Sequence, residues 1–280
     1  EGGGEGHDAD RWILSLYGRP IRDVTAALER FDLAAAVRTL YNFFWGEYCD
    51  WYLELVKGRL SDAAAQSVSV HVLGGTLKLL HPFMPFITSE IWEKMGGESI
   101  ARASWPGGAD LQVGPPWDEA AVESIERLKA VVTAARNIRG ELEVPAASLV
   151  EMHLRGDGAA AESLRRHADD LKRLVKASRV EIGPTVSRPA ASASAVAGDV
   201  QVFIPLAGVI DFGKEASRLH KGISQDERLL DYDDAKLANP DFIAKAPPEE
   251  VARVRAQREE TLRRMERLRG HLQVVEQERL

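Results

Sequence analysis

The sequence predicts a mainly α fold: an antiparallel helical bundle, a small α/β module, and a C-terminal antiparallel coiled-coil hairpin. Three observations predict it. Apolar residues recur at three-and-four spacing through residues 9–140. After Pro145 the pattern shortens into partly alternating runs. Two charged, heptad-like segments then flank residues 238–251, where Asn239-Pro240 and Pro247-Pro248 turn the chain back on itself. The expected organisation is a flexible lead-in over 1–8, the bundle over 9–144, the α/β stem over 145–212 and the arm over 213–280.

In the bundle, Ile13, Leu16 and Tyr17 form one stripe and Ile21, Val24 and Leu28 another, with a kink or break expected at Gly18 and Pro20. Asp32 caps a second helix that ends near Gly58, with Val37, Leu40, Tyr41, Phe44, Tyr48, Trp51, Tyr52 and Leu55 on its apolar face. Ser61-Asp62 opens a third helix, whose Val68, Val72, Leu73, Thr76, Leu77 and Leu80 face inward. Pro85 suits the first turn of a short fourth helix ending near Gly96. A loop rich in Gly and Pro follows to Pro116, with Trp105 expected as its buried anchor. Asp118 caps a fifth helix through Val122, Ile125, Leu128, Val132, Ala135 and Ile138.

In the α/β module, strands are expected at 149–154, 179–182 and 199–204, a helix at 159–177, and a mobile loop at 187–197. In the arm, Leu219, Ile223, Leu230 and Leu237 face Val251, Val254, Thr261, Met265, Leu268, Leu272 and Val275. Asp226, Asp233 and Arg258 also fall on this seam. An ion pair between Arg258 and Asp233 would remove two of these misfits and fix the register. Phe242 and Ile243 should fold back over the tip.

Composition excludes several classes. A hydrophobic fraction of 45% with 28% charged residues is that of an ordinary globular chain. A net charge of −7 argues against a uniformly basic nucleic-acid binder but not against a local basic face. Cys49 is the only cysteine, which rules out an intrachain disulfide and a cysteine-based zinc site and suits a reducing, cytoplasmic setting. No apolar run reaches the ~20 residues of a membrane span. No phosphate-binding glycine loop, Ser-His-Asp order or paired-carboxylate motif stands out, so no catalytic residue and no metal ligand is assigned. The seven histidines are scattered and fit structural or surface places, and Cys49 fits a small hydrophobe.

Two basic groups remain. One runs through Arg127, Lys129, Arg136, Arg139, Arg165 and Arg166 to Arg179. The other lies on the outgoing arm, at Arg253, Arg255, Arg258, Arg263, Arg264, Arg267 and Arg269. They suit either solvated helix faces laced with i,i+4 pairs or a surface that tracks phosphates.

The segments Asp10-Arg11-Trp12-Ile13-Leu14-Ser15, Phe43-Phe44-Trp45-Gly46-Glu47-Tyr48-Cys49-Asp50-Trp51-Tyr52 and Leu80-His81-Pro82-Phe83-Met84-Pro85-Phe86 resemble the anticodon-binding domain of class I aminoacyl-tRNA synthetases, in the group for valine, isoleucine and leucine. Arg136-Asn137-Ile138-Arg139 resembles the end of that bundle. Residues 202–211 and 238–248 look like the C-terminal arm of the valyl-tRNA synthetase family, and the single cysteine favours valine over isoleucine. The resemblance implies a C-terminal fragment that holds tRNA-Val: the bundle at the anticodon stem-loop, the arm at the outer corner of the tRNA. It also implies a monomer joined to an upstream catalytic domain. ATP would be used by the full-length ligase, with no cofactor in this fragment and no catalysis by it. The residues expected to touch tRNA are Arg136, Asn137 and Arg139 on the bundle and Tyr232, Arg253, Arg255, Arg263 and Arg264 on the arm.

A rival reading is a helical protein–protein scaffold whose arm recruits a partner. The polar seam and the net negative charge motivate it. A stand-alone enzyme is the weakest reading, since no catalytic constellation emerges.

Overall fold

A capping aspartate opens each of three bundle helices, because its short carboxylate satisfies backbone N–H groups that the first turn leaves unpaired. In the computed structural model, which describes residues 6–107 and 117–277, Asp32 accepts from the Ala35 N–H at 3.0 Å, Asp62 from Ala64 at 2.9 Å and Asp118 from Ala121 at 2.9 Å. The helices they open are α2 (Leu33–Tyr41), α4 (Ala63–Leu80) and α6 (Glu119–Glu141); α1 spans Asp8–Glu29 and α5 Pro85–Lys94. The chain divides into two compact units, residues 1–129 and 130–280, with α6 running across the boundary.

Two expectations about the bundle change. α1 is one unbroken helix with Pro20 inside it, so Gly18 and Pro20 do not break it. The second helix is not a single α-helix. After α2 the backbone widens into a π-helix over Asn42–Tyr52, then a short α3 (Leu53–Val56) and a 3-10 turn over Lys57–Arg59. A π turn takes more residues than an α turn, so it rotates everything that follows. Leu40, Phe43, Tyr48, Tyr52, Leu55 and Val56 are buried, whereas Val37 and Tyr41 are exposed despite their place in the apolar periodicity, as is Trp45.

The first unit is pinned by a buried polar cluster beneath α1. Asp10 accepts from the Tyr52 hydroxyl at 2.9 Å and from both terminal nitrogens of Arg59, at 3.0 and 3.1 Å. Burial pushes the Tyr52 hydroxyl to a higher pKa, so it stays protonated and donates. The first part of α6 is held to α1 by the Trp12 indole donating to Glu126 at 3.3 Å, with the Lys129 ammonium 5.1 Å from the Trp12 ring. Gly75 allows a close approach on α4: a Cβ there would lie 1.4 Å from the Tyr17 hydroxyl oxygen. Gly75→Ala is expected to destabilise the first unit by about 1–3 kcal/mol, the usual range for overpacking; a urea midpoint unchanged from wild type would contradict the packing described.

Trp105 is not buried. It is 39% exposed and anchored by its indole N–H, which donates to the Thr25 hydroxyl at 2.9 Å. The later part of the loop expected up to Pro116, residues 108–116, lies outside the described residues, as do most of the lead-in and the last three residues of the arm.

In the second unit, β1 (Val150–Arg155), α7 (Gly158–Arg166), α8 (Ala168–Val175) and β2 (Ala177–Gly183) form a β-α-β crossover with parallel strands, followed by an antiparallel β3 (Ser192–Ala197) and β4 (Val200–Pro205) hairpin. The sheet order is β2-β1-β4-β3. The expected loop at 187–197 therefore contains a strand. Gly198, at φ +62°, and Asp199 make the two-residue turn that pairs Ala197 with Val200. The single helix expected over 159–177 breaks at His167, whose φ and ψ of −103° and 19° leave the helical region.

The arm is a helical hairpin of α9 (Phe212–Ala238) and α11 (Pro248–Gln277), with a six-residue α10 (Pro240–Lys245) at its tip. Ile223, Leu230 and Met265 form its core, with Leu262, Leu268 and Leu272 packed on them. Phe242 is half-buried, with the Lys236 ammonium 5.4 Å from its ring, whereas Ile243 is exposed, so Ile243 does not close the tip as expected. The predicted Arg258–Asp233 pair is not formed: Arg258 bonds to Asp234 instead. Asp234 lies on the wet flank of the helix, where pairing avoids the desolvation cost of the seam. Asp233 stays buried, with one carboxylate oxygen lacking a hydrogen-bond partner.

Near the base of the arm His271 is buried 3.4 Å from Glu141. Burial holds its pKa below the ordinary value of 6.5, partly opposed by Glu141. The folded ring is therefore neutral where the unfolded ring starts to protonate. Its stabilising contribution should be complete above pH 6.5 and fall as pH drops below it. Urea unfolding at pH 7.5 and 5.5 should show this loss, and His271→Gln should reduce it.

Candidate nucleic-acid interface

Acidic and basic residues balance over 213–280, so an interface on the arm depends on how the charges are distributed. Most arginines of α11 are already committed. Arg253 holds Glu250 at 2.6 Å and Arg263 holds Glu259. Arg264 holds the buried Asp226, with its Nε 2.8 Å from Oδ2. Arg267 holds Glu141 at 3.1 Å and Arg269 holds Glu227 at 2.9 Å. Arg255 is exposed, and no acid pairs with it among the described residues.

The outward face of α9 differs. Lys214, Ser217, Lys221, Gln225, Arg228 and Tyr232 follow one another at spacings of three or four, which places them within about 80° of arc at 100° per residue. No acid falls in this stripe. It points away from the seam made by Leu219, Ile223, Asp226, Leu230 and Asp233. Lys221 and Arg228 are exposed and have no ion-pair partner among the described residues. The stripe ends on Tyr232, 59% exposed, with the Lys236 ammonium 5.2 Å from its ring. Two uncommitted cations and an exposed aromatic on one straight face are what a phosphate backbone with accessible bases requires. The spacing of the stripe was readable in the sequence; counting arginines drew attention to α11 instead.

The residues expected on the bundle separate. Arg136 donates through Nε and Nη2 to the Leu174 carbonyl, at 3.2 and 3.1 Å. Arg139 is only 9% exposed and donates to the carbonyls of Pro145 and Ser148, at 3.1 and 3.0 Å. Burial lowers its pKa. Arg139 in this place clamps the turn after α6, with its guanidinium largely buried, unlike the outward contact expected of it. Asn137 is exposed on α6. Of the residues expected on the arm, Tyr232 and Arg255 are presented without a carboxylate, while Arg253, Arg263 and Arg264 would have to exchange an acid for a phosphate.

The first unit offers a different surface. Leu33, Val37, Tyr41 and Trp45, spaced by four residues, are all exposed, and the Tyr41 and Trp45 rings meet edge-on at 6.5 Å. Cys49, on the same π-helix, is half-buried. Burial and the adjacent Asp50 push its thiol pKa up, which disfavours a reactive thiolate. No helix among the described residues is long and apolar enough to cross a membrane.

Comparison with known proteins matches the two ends of the chain to two families. Residues 10–154 match the family described as the anticodon-binding domain of tRNA ligases, and residues 211–279 match the valyl tRNA synthetase tRNA binding arm. The valine–tRNA ligase of Thermotoga maritima is 36% identical over 273 residues, 95% of this chain and 30% of that protein. Those of Bacillus cereus and Geobacillus stearothermophilus are 34% and 35% identical, over 98% and 96% of this chain and 32% and 31% of theirs. The chain thus spans about a third of the length of the curated relatives it matches. With a helical bundle that matches the one family over more than half of the chain and a helical hairpin that matches the other, the chain belongs to the family of tRNA-ligase anticodon-binding domains and is similar, along nearly its whole length, to about a third of valine–tRNA ligases.

Proposed function

We propose that this chain is the tRNA-binding portion of a valine–tRNA ligase. Residues 9–144 would hold the anticodon stem-loop, residues 213–280 the tRNA elbow where the D and T loops meet, and residues 145–212 would form the stem between them. The observation that carries the reading is the acid-free stripe Lys214–Tyr232 on a hairpin whose family is described as a tRNA-binding arm. A rigid helix of 27 residues is about 40 Å long at ~1.5 Å per residue, enough to follow one limb of a folded RNA.

The partner is tRNA-Val, bound in the cytoplasm by a monomer. The complete protein would join valine to that tRNA at the expense of ATP, and the catalytic domain would belong to the part of the protein that the relatives have beyond this third. A second reading has one observation in its favour: the exposed Leu33–Trp45 stripe is apolar enough for a protein contact, which fits the scaffold alternative or the ligase's own remaining domains.

The test is fluorescence anisotropy of a labelled tRNA-Val transcript titrated with the chain at several salt concentrations. Binding should be saturable and weaken linearly with salt on a log–log plot, because phosphate contacts release counterions. Absence of salt-sensitive binding would refute the reading.

A further inference from the structure

An open cleft of about 1090 Å³ lies within the second unit, between α6, strands β1, β3 and β4, and α11. Its polar lining includes Asn137, Arg155, Arg188, Gln201, Arg267 and His271. Two of these arginines are held by neutral partners only. Arg155 donates from Nε to the Gln201 side-chain oxygen at 2.9 Å, and its guanidinium lies 5.3 Å from the Phe203 ring. Arg188 donates to the Ser192 carbonyl at 2.8 Å and to the Ser192 hydroxyl at 3.4 Å. No carboxylate pairs with either among the described residues. Glu141, the acid in the lining, is already engaged by Arg267 at 3.1 Å.

A guanidinium fixed by neutral acceptors keeps its charge for a ligand and has already lost much of its rotamer freedom, so binding costs it little further order. A concave wall focuses that charge. The planar fork of arginine matches two phosphate oxygens at once. The contrast with α11, where most arginines face a carboxylate, sets the cleft apart. Arg155, Arg188 and Gln201 fall in residues 155–210, between the two segments that the family descriptions cover.

We propose that this cleft is a phosphate-binding site that grips the RNA backbone between the bundle and arm contacts, with Arg155 and Arg188 as its phosphate ligands. The proposal rests on the tRNA-binding reading above and adds a third contact to it. A free phosphate or nucleotide shares the chemistry, and the experiment separates the two sources.

The anisotropy titration is repeated with an Arg155→Gln/Arg188→Gln chain, an Arg155→Lys/Arg188→Lys chain and a Lys221→Gln/Arg228→Gln chain. Circular dichroism melts check that each is folded. The glutamine pair in the cleft should weaken tRNA binding and lower the log–log salt slope by about 2, one per lost phosphate contact. The lysine pair should retain most of the slope. An unchanged slope in the cleft glutamine pair, with a reduced slope in the α9 pair, would overturn the cleft and leave the tRNA reading intact. Loss of slope in the lysine pair equal to that in the glutamine pair would point to local damage and also overturn it. No tRNA binding by the wild-type chain would overturn both. In a calorimetric titration with inorganic phosphate alone, heat that disappears in the cleft glutamine pair while its tRNA slope is unchanged would assign the cleft to a free anion and reject the RNA contact.

Discussion

Asp10→Ala should cost the first unit about 3 kcal/mol, because it removes one member of a buried ion pair and strands the other. The Asp10 carboxylate is 7% exposed and receives three hydrogen bonds, two from Arg59 and one from Tyr52. Without it the Arg59 guanidinium, 21% exposed, keeps as its ionic partner among the described residues only the more exposed Asp62, at 3.3 Å. Tyr52→Phe is the milder control: it removes a single hydroxyl donor and should cost about 1 kcal/mol. Urea unfolding followed by tryptophan fluorescence measures both. Equal, small effects would mean that the cluster contributes little to holding α1 on its neighbours.

The second large effect should appear in RNA binding. Replacing Lys221 and Arg228 with glutamine should lower the salt slope by about 2. Adding Tyr232→Ala should cost a further ~1–3 kcal/mol if a base stacks on the ring, which is roughly 5- to 150-fold in affinity. All three side chains point away from the seam, so the arm should remain folded and its melting temperature unchanged. Arg253→Gln gives the comparison on α11. Its guanidinium already holds Glu250, so its loss should matter less than that of either uncommitted cation. If Arg253→Gln weakens binding more than the α9 pair, the outgoing helix is the RNA-facing one and the stripe is a solvated surface.

Local chemistry made much of the fold legible. Asp32, Asp62 and Asp118 were readable as caps because a carboxylate before a helical run has one obvious use. Pro85 at the first turn of α5 was readable for the same kind of reason. The arm was legible because its heptads are sustained. What was not legible depends on packing. A 3.6-residue period cannot announce a π-helix, and the aromatic run Phe43–Tyr52 fits either winding until its neighbours are placed. Apart from Val196, β3 is built from Ser and Ala, weak strand formers that gain their place by pairing with β4. Arg258 was off by one residue in its partner, since heptads fix which residues face the seam but not which acid a long side chain reaches. In the candidate site, charge counting pointed to α11, whereas what separates the faces is which cations lack a carboxylate, and that depends on i,i+3, i,i+4 and cross-helix pairs seen only in the folded hairpin. Arg139 was readable as a cation but not as a buried clamp.

The central claim is that one tRNA spans both the bundle and the arm. Hydroxyl-radical footprinting of tRNA-Val bound to the chain tests it most directly. Protection should appear at the anticodon stem-loop and at the elbow together, and the elbow protection alone should fade in the Lys221→Gln/Arg228→Gln/Tyr232→Ala chain. Protection confined to the acceptor end, or an elbow footprint that survives those three substitutions, would contradict it.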